Sequence, residues 1–328
     1  MQTMLIRQVS RSILAALALA LALALSLTTA HAEPKALEGY GVLMMHGKGG
    51  RPGLFGSELV NALESRGAIV LEPYMPWSGE RGVMRELNRT VPEMVAEIGR
   101  HVETLREKGA THIVLGGHSL GAGMALAYVA HVAHVAHAAH VAHAAHAAQA
   151  PQASGDAPVP STEPAKPGGA NDSISTPAPP PIAGLMLLAP GHTPDTWGRV
   201  SAMSLGVLQA RALVDAGRGR EMDSYLDINQ GRQSWIRASA QAYLSLYDPE
   251  GPAVMPLNAA RVPADLPVLV IIGDRDPLFR AGRRYLFDRL PAHAQSSYVE
   301  VKAGHVDTPD VGSEAAVKWL AGLRSASR

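Results

Sequence analysis

Three things are scarce in this chain: cysteine, aromatic residues and net charge. None of its 328 residues is cysteine, which excludes disulfides and thiolate metal sites. Aromatic residues make up only 5%, which argues against a surface that binds sugars by stacking. Lysine plus arginine equals aspartate plus glutamate, 29 each, so no overall field attracts nucleic acid or an anionic membrane. The sequence also has no P-loop and no His-Glu-x-x-His motif, and we predict no cofactor and no nucleic-acid partner.

The first 32 residues have the pattern of a signal peptide. Arg7 and Arg11 give a basic start, Ile13 to Leu27 is built almost entirely of Leu and Ala, and Ala30-His31-Ala32 fits a small-x-small cleavage site. The apolar stretch is shorter than the about 20 residues that a membrane span needs. We therefore expect a periplasmic or secreted protein with no stable membrane span after cleavage. An uncleaved N-terminal anchor is the alternative.

After the leader, apolar runs alternate with helical patterns. The runs are mostly continuous, as in strands of a parallel sheet covered on both faces: Gly41–Met45, Ala68–Leu71, Thr111–Leu115, Gly184–Leu188, Val268–Ile272 and Ser297–Val301. Helical patterns cover Ser57–Arg66, Pro92–Lys108, Leu120 onward, Arg232–Leu246 and Glu314–Leu323. The alternation predicts an α/β fold with a doubly wound, mostly parallel sheet.

Two segments interrupt this alternation. Residues 131–181 are of low complexity and separate the first part of the core, residues 33–130, from a core strand at residues 182–190. Residues 191–266 form a second irregular segment, predicted helical, before the last part of the core at residues 267–328. The Pro- and Ala-rich half of the first insert, from Gln149, should be disordered because it cannot bury enough apolar surface to fold.

Six histidines recur every third residue from His131 to His146, in a background of Ala and Val that should continue the preceding helix. On a helix this spacing makes the histidine stripe wind around the axis, although neighbours at i and i+3 could share a metal ion. Tandem expansion of a three-residue unit explains the regularity equally well. The helix should lead away from the carboxyl ends of the strands, where the active site of such a sheet forms. We therefore expect no catalytic role for the repeat.

The strongest motif is Gly117-His118-Ser119-Leu120-Gly121, between an apolar run and a helical stretch. Asp276 and His305 follow later in the chain, each after another apolar run. A G-x-S-x-G turn followed by Asp and then His resembles the α/β-hydrolase superfamily, from about Tyr40 to Leu323. The resemblance implies that Ser119 is the nucleophile, on an elbow that Gly117 and Gly121 leave room for, and that His305 is its base. It also implies a cap within residues 191–266. The family's sheet usually opens with two further strands, and we expect them to be missing or vestigial here, because few residues separate the cleavage site from Gly41.

The acid and the oxyanion hole leave alternatives open. Asp276 has the family spacing, while Asp274 is the second candidate and is otherwise expected to cap the loop or pair with a cation. The resemblance places the oxyanion donors at the backbone amides of Leu120 and Lys48. The alternative is that residues 46–50 are only a flexible glycine loop. The Lys48 side chain could also meet an anionic substrate group.

Two functions are consistent with these residues. The first is an exported serine hydrolase that cleaves a small-molecule carboxylic ester or thioester through an acyl-serine intermediate. The second is a non-catalytic protein of the same fold that binds metal through its histidine repeat. Three further histidines have no expected catalytic role: His46 should hold its glycine loop, His118 should point into the fold, and His192 could border the pocket.

Overall fold

The computed structural model describes residues 35–54, 56–149, 182–197 and 203–326. The chain divides into two units, Met1–Ala36 and Leu37–Arg328, and only Lys35 and Ala36 of the first are described. The predicted signal peptide and the Pro- and Ala-rich tract at residues 150–181 therefore lie outside the described residues. Among the described residues, no helix has the length and apolar character to cross a membrane.

A six-stranded sheet forms the centre of the second unit. The strands pair in parallel in the order β2-β1-β4-β5-β8-β9. They are β1 (Tyr40–Met45), β2 (Ile69–Leu71), β4 (His112–Ser119), β5 (Ile182–Pro190), β8 (Val268–Gly273) and β9 (Ser297–Val301). The innermost strands are continuous apolar runs because both of their faces are covered by helices. Of the chain before β1, only residues 35–39 are described, and they contain no strand.

Helices pack on both faces of the sheet, as predicted for a doubly wound fold. On one face, α1 (Ser57–Ser65) and α9 (Ser313–Ala326) share an apolar core with the sheet. On the other face lie α2 (Val91–Glu107) and α3 (Leu120–Gln149). Thr90 and Glu93 form a capping box that fixes the start of α2. α3 continues through the histidine repeat as expected, and its first eleven residues, 120–130, are buried.

The segment between β5 and β8 forms the cap, and it contains strands as well as helices. Its elements are α4 (Pro194–Trp197), α5 (Met203–Asp215), β6 (Met222–Asn229), β7 (Arg232–Ser239), α6 (Ala240–Tyr247) and α7 (Met255–Ala259). β6 and β7 pair antiparallel, and β7 also pairs with the short β3 (Glu86–Leu87). Short 3₁₀ turns from Pro277 to Arg289 and the helix α8 (Thr308–Val311) complete the fold.

The predicted helix over Arg232–Leu246 is wrong in its first half, and residues 191–266 are not purely helical. Gln230 and Gly231 both have positive φ, 49° and 76°, which makes a tight hairpin turn that directs the chain back along β6. Residues after the turn therefore pair as β7, and the helix begins only at Ala240, where the Ser239 hydroxyl accepts a hydrogen bond from the Ala242 amide. The helical periodicity of the sequence gives no indication of this turn.

Candidate active site

Ser119 stands on a sharp turn between β4 and α3. Its φ is +56°, a left-handed conformation that a serine adopts only where the surrounding structure holds it. A Cβ on Gly117 would lie 2.3 Å from the backbone of Gly121, and one on Gly121 would lie 2.3 Å from the main-chain oxygen of Met45. The two glycines therefore let the strand, the turn and the helix approach closely enough to lift the Ser119 hydroxyl above the sheet.

Three side chains that are far apart in the sequence form one hydrogen-bonded array. His305 Nε2 lies 2.9 Å from Ser119 Oγ, and His305 Nδ1 lies 2.6 Å from Asp276 Oδ2. Asp276 accepts a hydrogen bond from the Nδ1–H of His305, so Nε2 carries no proton and can accept a hydrogen bond from the serine hydroxyl. The array comes together because β4, β8 and β9 are parallel, and the turns after their carboxyl ends meet at one edge of the sheet.

The structure separates the two candidate acids. The Asp276 side chain is 1% exposed, and its second oxygen accepts a hydrogen bond from the Leu278 amide at 2.7 Å. The Asp274 side chain is 42% exposed, and its Oδ1 lies 3.7 Å from Arg275. Asp276 therefore occupies the position that orients His305, while Asp274 belongs to a solvent-exposed ion pair.

The two residues predicted to supply the oxyanion donors both lie close to Ser119. A Cβ on Gly47 would lie 2.9 Å from Ser119 Cβ, so the loop that carries Lys48 passes directly beside the nucleophile. The amide of Lys48 has no hydrogen-bond acceptor among the described residues. Leu120 is the first residue of α3, and amides in the first turn of a helix lack intrahelical acceptors. Both donors and the positive end of the helix dipole are thus available to a negatively charged oxygen.

Sequence reasoning missed the partner of the Lys48 side chain. Lys48 Nζ lies 2.5 Å from Asp227 Oδ1 and 3.0 Å from the main-chain oxygen of Ile228, both on β6 of the cap. The Tyr247 hydroxyl donates to the same Asp227 oxygen at 2.7 Å. Both side chains of the ion pair are buried, at 5% and 1% exposure. The ammonium thus has a protein partner, which leaves the idea that it meets an anionic substrate group without support.

His46, His118 and His192, the three further histidines considered in the sequence, have no direct part in the hydrogen-bonded array. His46 Nδ1 donates to the Gly47 oxygen and its Nε2 contacts the Ser78 hydroxyl, both at 2.8 Å, so the ring braces the glycine loop. His118 is buried beside His305, and burial together with the nearby His305 lowers the pKa of His118 to about 3. His192 lines the cavity next to Ser119, and burial and the Lys48 charge lower its pKa to about 4. None of these rings contacts the Ser119 hydroxyl in the way that His305 does.

A cavity of about 250 Å³ opens beside the Ser119 hydroxyl. Its walls are mainly apolar, with Leu120, Pro190, Ile228, Pro277, Leu278 and Ala281 among the lining residues. The lining also includes polar side chains from the cap and the loops, among them Lys48, Thr193 and Asn229. An apolar cavity with a few convergent polar groups is the usual form of a small-molecule site.

Metal ligands do not cluster in the described part of the chain. Among those residues, no group of three or more His, Asp or Glu side chains is placed to hold a metal ion. His131 and His134 are exposed on α3, and the side chains from His137 to His146 lie outside the described residues. The metal-binding alternative for the histidine repeat is therefore not addressed by the described part of the chain.

Comparisons with known proteins agree with this architecture. A family model described as the alpha/beta hydrolase fold matches residues 88–310. The monoacylglycerol lipase of Paleococcus ferrophilus is 19% identical, with 86% of this chain and 94% of that chain covered and a TM-score of 0.50. Est1E from Butyrivibrio proteoclasticus, solved with ferulic acid bound, is 13% identical, with 89% and 92% covered and a TM-score of 0.51. A structure reported for the metagenome-derived lipolytic enzymes LipS and LipT is 16% identical, with 88% and 94% covered and a TM-score of 0.50.

The sequence has no match among curated proteins. The solved structures share the fold at low identity, and the family model covers more than half of the chain. The chain belongs to the α/β-hydrolase superfamily.

Proposed function

We propose that this protein is a serine hydrolase that cleaves a carboxylic ester or thioester through an acyl-serine intermediate. The observation that carries the proposal is the continuous chain of hydrogen bonds from Ser119 through His305 to Asp276, at the edge of an apolar cavity. The lipase and esterase names of structures with the same fold are consistent with an ester substrate.

In the first half of the reaction, Ser119 Oγ attacks the substrate carbonyl carbon while His305 Nε2 takes the hydroxyl proton. The carbonyl oxygen gains the negative charge and is met by the amides of Leu120 and Lys48. Asp276 holds the His305 ring and stabilises its positive charge. The carbon–oxygen or carbon–sulfur bond to the leaving group then breaks, and the leaving group takes the proton from Nε2.

In the second half, water replaces the leaving group. His305 Nε2 takes a proton from that water as it attacks the acyl carbon, and the same amides again hold the oxyanion. The bond between the acyl carbon and Ser119 Oγ breaks, the proton returns to Ser119, and a carboxylic acid leaves. No cofactor takes part in either half.

Cavity size favours a small acyl group. Its volume of about 250 Å³ is below the range of roughly 300–1,000 Å³ typical of sites for drug-sized ligands. Short acyl chains should therefore be cleaved fastest.

We further propose that the enzyme is exported to the periplasm or secreted, on the basis of the basic, apolar and small-residue pattern of residues 1–32.

A fluorophosphonate probe tests the mechanism. Wild-type protein should be labelled on Ser119 and should hydrolyse p-nitrophenyl esters, with acetate and butyrate preferred to long chains. Ser119→Ala should remain folded, lose labelling and retain less than about a hundredth of the activity. Persistent labelling or turnover in that variant would identify a different nucleophile. An unlabelled, inactive wild-type protein that binds a nickel column would instead favour the metal-binding alternative.

A further inference from the structure

The loop that carries the second oxyanion donor is poor in side chains. Residues 47–50 read Gly47-Lys48-Gly49-Gly50, so Lys48 alone offers a side chain by which this stretch can be held. Hydrogen bonds from the Gly49 amide to Trp77 and from the Gly79 amide to Gly50 fix the far half of the loop. The Gly47 oxygen, on the peptide that carries the Lys48 amide, accepts hydrogen bonds from the Gly50 amide and from His46 Nδ1. Because the glycines on either side of Lys48 restrict the backbone little, contacts to Lys48 itself give the loop a further support.

That support comes from the cap. The last residues of β6 contact Lys48 at both ends: Asp227 and the Ile228 oxygen bind its ammonium, and Asn229 Nδ2 lies 3.4 Å from its main-chain oxygen. Asn229 Nδ2 also donates to the Gly82 oxygen at 3.0 Å, which ties the same strand end to the neighbouring loop. Three consecutive cap residues thus hold one residue of the core.

Asp227 is in turn held in place by Tyr247. The Tyr247 hydroxyl donates to Asp227 at 2.7 Å, and Lys48 Nζ lies 5.4 Å from the centre of the Tyr247 ring. Burial and the charge of Asp227 hold the pKa of Tyr247 well above its ordinary value, so the hydroxyl stays protonated and can donate its hydrogen bond to Asp227. Tyr247 stacks on Tyr243, which stacks on Tyr225 of β6, and this column of rings fixes the direction of the strand end.

A buried ion pair adds little net stability, because the free energy needed to remove two charges from water is about as large as the free energy of their attraction. Its better-attested use is to fix one arrangement among several. Here the pair ties the loop beside Ser119 to the end of β6.

We propose that Asp227 and Asn229 are positioning residues for the oxyanion hole, which hold Lys48 so that its amide points at the substrate carbonyl oxygen. The cap of this enzyme therefore completes the catalytic geometry in addition to walling the cavity. This inference rests on the proposed serine-hydrolase function.

Inhibitor binding separates positioning from a general loss of structure. The measurements are kcat and KM for p-nitrophenyl butyrate, and the inhibition constant of an alkyl trifluoromethyl ketone, which forms a tetrahedral oxyanion on the serine. In Asp227→Asn and Asn229→Ala, kcat should fall and the inhibition constant should rise together, by about 10- to 100-fold, while KM stays within about threefold. Arg211→Met is the matched control, since it breaks a cap ion pair of 2.6 Å between Arg211 and Asp248 and should change each value by less than about twofold.

The double variant Lys48→Met/Asp227→Leu guards against a folding artefact. It removes both buried charges, so no unpaired charge remains, and it should fold while keeping the weakened inhibitor binding. A double variant that regains wild-type inhibitor affinity would overturn the proposal, because the unpaired charge would then explain the single variants. So would Asp227→Asn and Asn229→Ala variants that match Arg211→Met. If the wild type itself escapes fluorophosphonate labelling, the proposed function fails instead.

Discussion

Nε2 of His118 lies 2.8 Å from the main-chain oxygen of His305. Because His118 directly precedes Ser119 on β4, the strand that presents the nucleophile also holds the backbone of its base. The two rings lie 4.9 Å apart between centres. A neutral His118 can donate from Nε2 at ordinary pH, since burial lowers its pKa to about 3.

This buried histidine should make the protein sensitive to acid. Unfolded His118 takes up a proton below about pH 6.5, whereas the folded ring stays neutral down to about pH 3. The unfolded state therefore binds more protons between these values, and the free energy of unfolding should fall as the pH drops, by up to about 1.4 kcal/mol per pH unit from this group. Above pH 6.5 the contribution is constant.

Urea unfolding at pH 7.5 and pH 5.0 measures the effect. His118→Gln should be less stable than wild type at pH 7.5. Between pH 7.5 and pH 5.0, however, its free energy of unfolding should fall by about 2 kcal/mol less than that of wild type. Replacing the exposed His112 with Gln is the control and should leave the wild-type pH dependence in place. Equal acid sensitivity in the His118→Gln variant and wild type would show that His118 is not the group that titrates.

The two neighbouring carboxylates should differ sharply in their effect on catalysis. Asp276→Asn keeps the size of the side chain but cannot hold the His305 tautomer that accepts a proton at Nε2, and kcat should fall by about 10³- to 10⁴-fold. Asp274→Asn alters an exposed ion pair and should change kcat by less than about twofold. Steady-state kinetics on both variants checks this, and similar losses in the two would refute the assignment of the acid.

Two glycines in the first turn of α3 should differ in how much stability is lost when each is replaced by alanine. A Cβ on Gly121 would lie 2.3 Å from the main-chain oxygen of Met45, which is part of the sheet and cannot move aside. Gly121→Ala should therefore lose about 1–3 kcal/mol of stability and displace Ser119. On Gly123 the nearest atom is a Met255 side-chain carbon at 3.3 Å, so Gly123→Ala should be close to neutral. Thermal melting and probe labelling compare the two, and equal melting temperatures would contradict the steric argument.

The low-complexity insert should be dispensable for catalysis. α3 starts at the edge of the sheet that carries Ser119, and at about 1.5 Å per residue its thirty residues extend far beyond the buried first three turns. Deleting His131 to Pro180 and joining the ends with a short glycine–serine linker should keep ester hydrolysis within a few fold of wild type, since closure entropy changes by only roughly 0.6 kcal/mol per doubling of loop length.

The same deletion should abolish retention on an immobilised nickel column, because it removes all six histidines of the repeat. Circular dichroism confirms that the deleted protein is folded before activity is compared. A folded deletion variant with no esterase activity would mean that the insert reaches the active site, against the topological argument.

Local patterns in the sequence predicted the sheet and the elbow, and the order of Ser119, Asp276 and His305 predicted the site through its resemblance to the α/β-hydrolases. Continuous apolar runs mark strands that are buried on both faces, and a serine flanked by glycines marks a turn that only a close strand-to-helix approach needs. The strand and elbow signals each span only a few residues, so they can be recognised without knowledge of the fold.

Tertiary structure alone decided the hairpin and the partner of Lys48, and it separated the favoured acid from its alternative. Asp274 and Asp276 differ by two positions, and only the packing of the β8 turn against His305 shows which carboxylate is buried. Lys48 and Asp227 are 179 residues apart, and either could be an ordinary surface charge in the sequence. They meet because the β6–β7 hairpin folds back over the carboxyl edge of the sheet, where long-range packing rather than any local pattern sets which charges are removed from water.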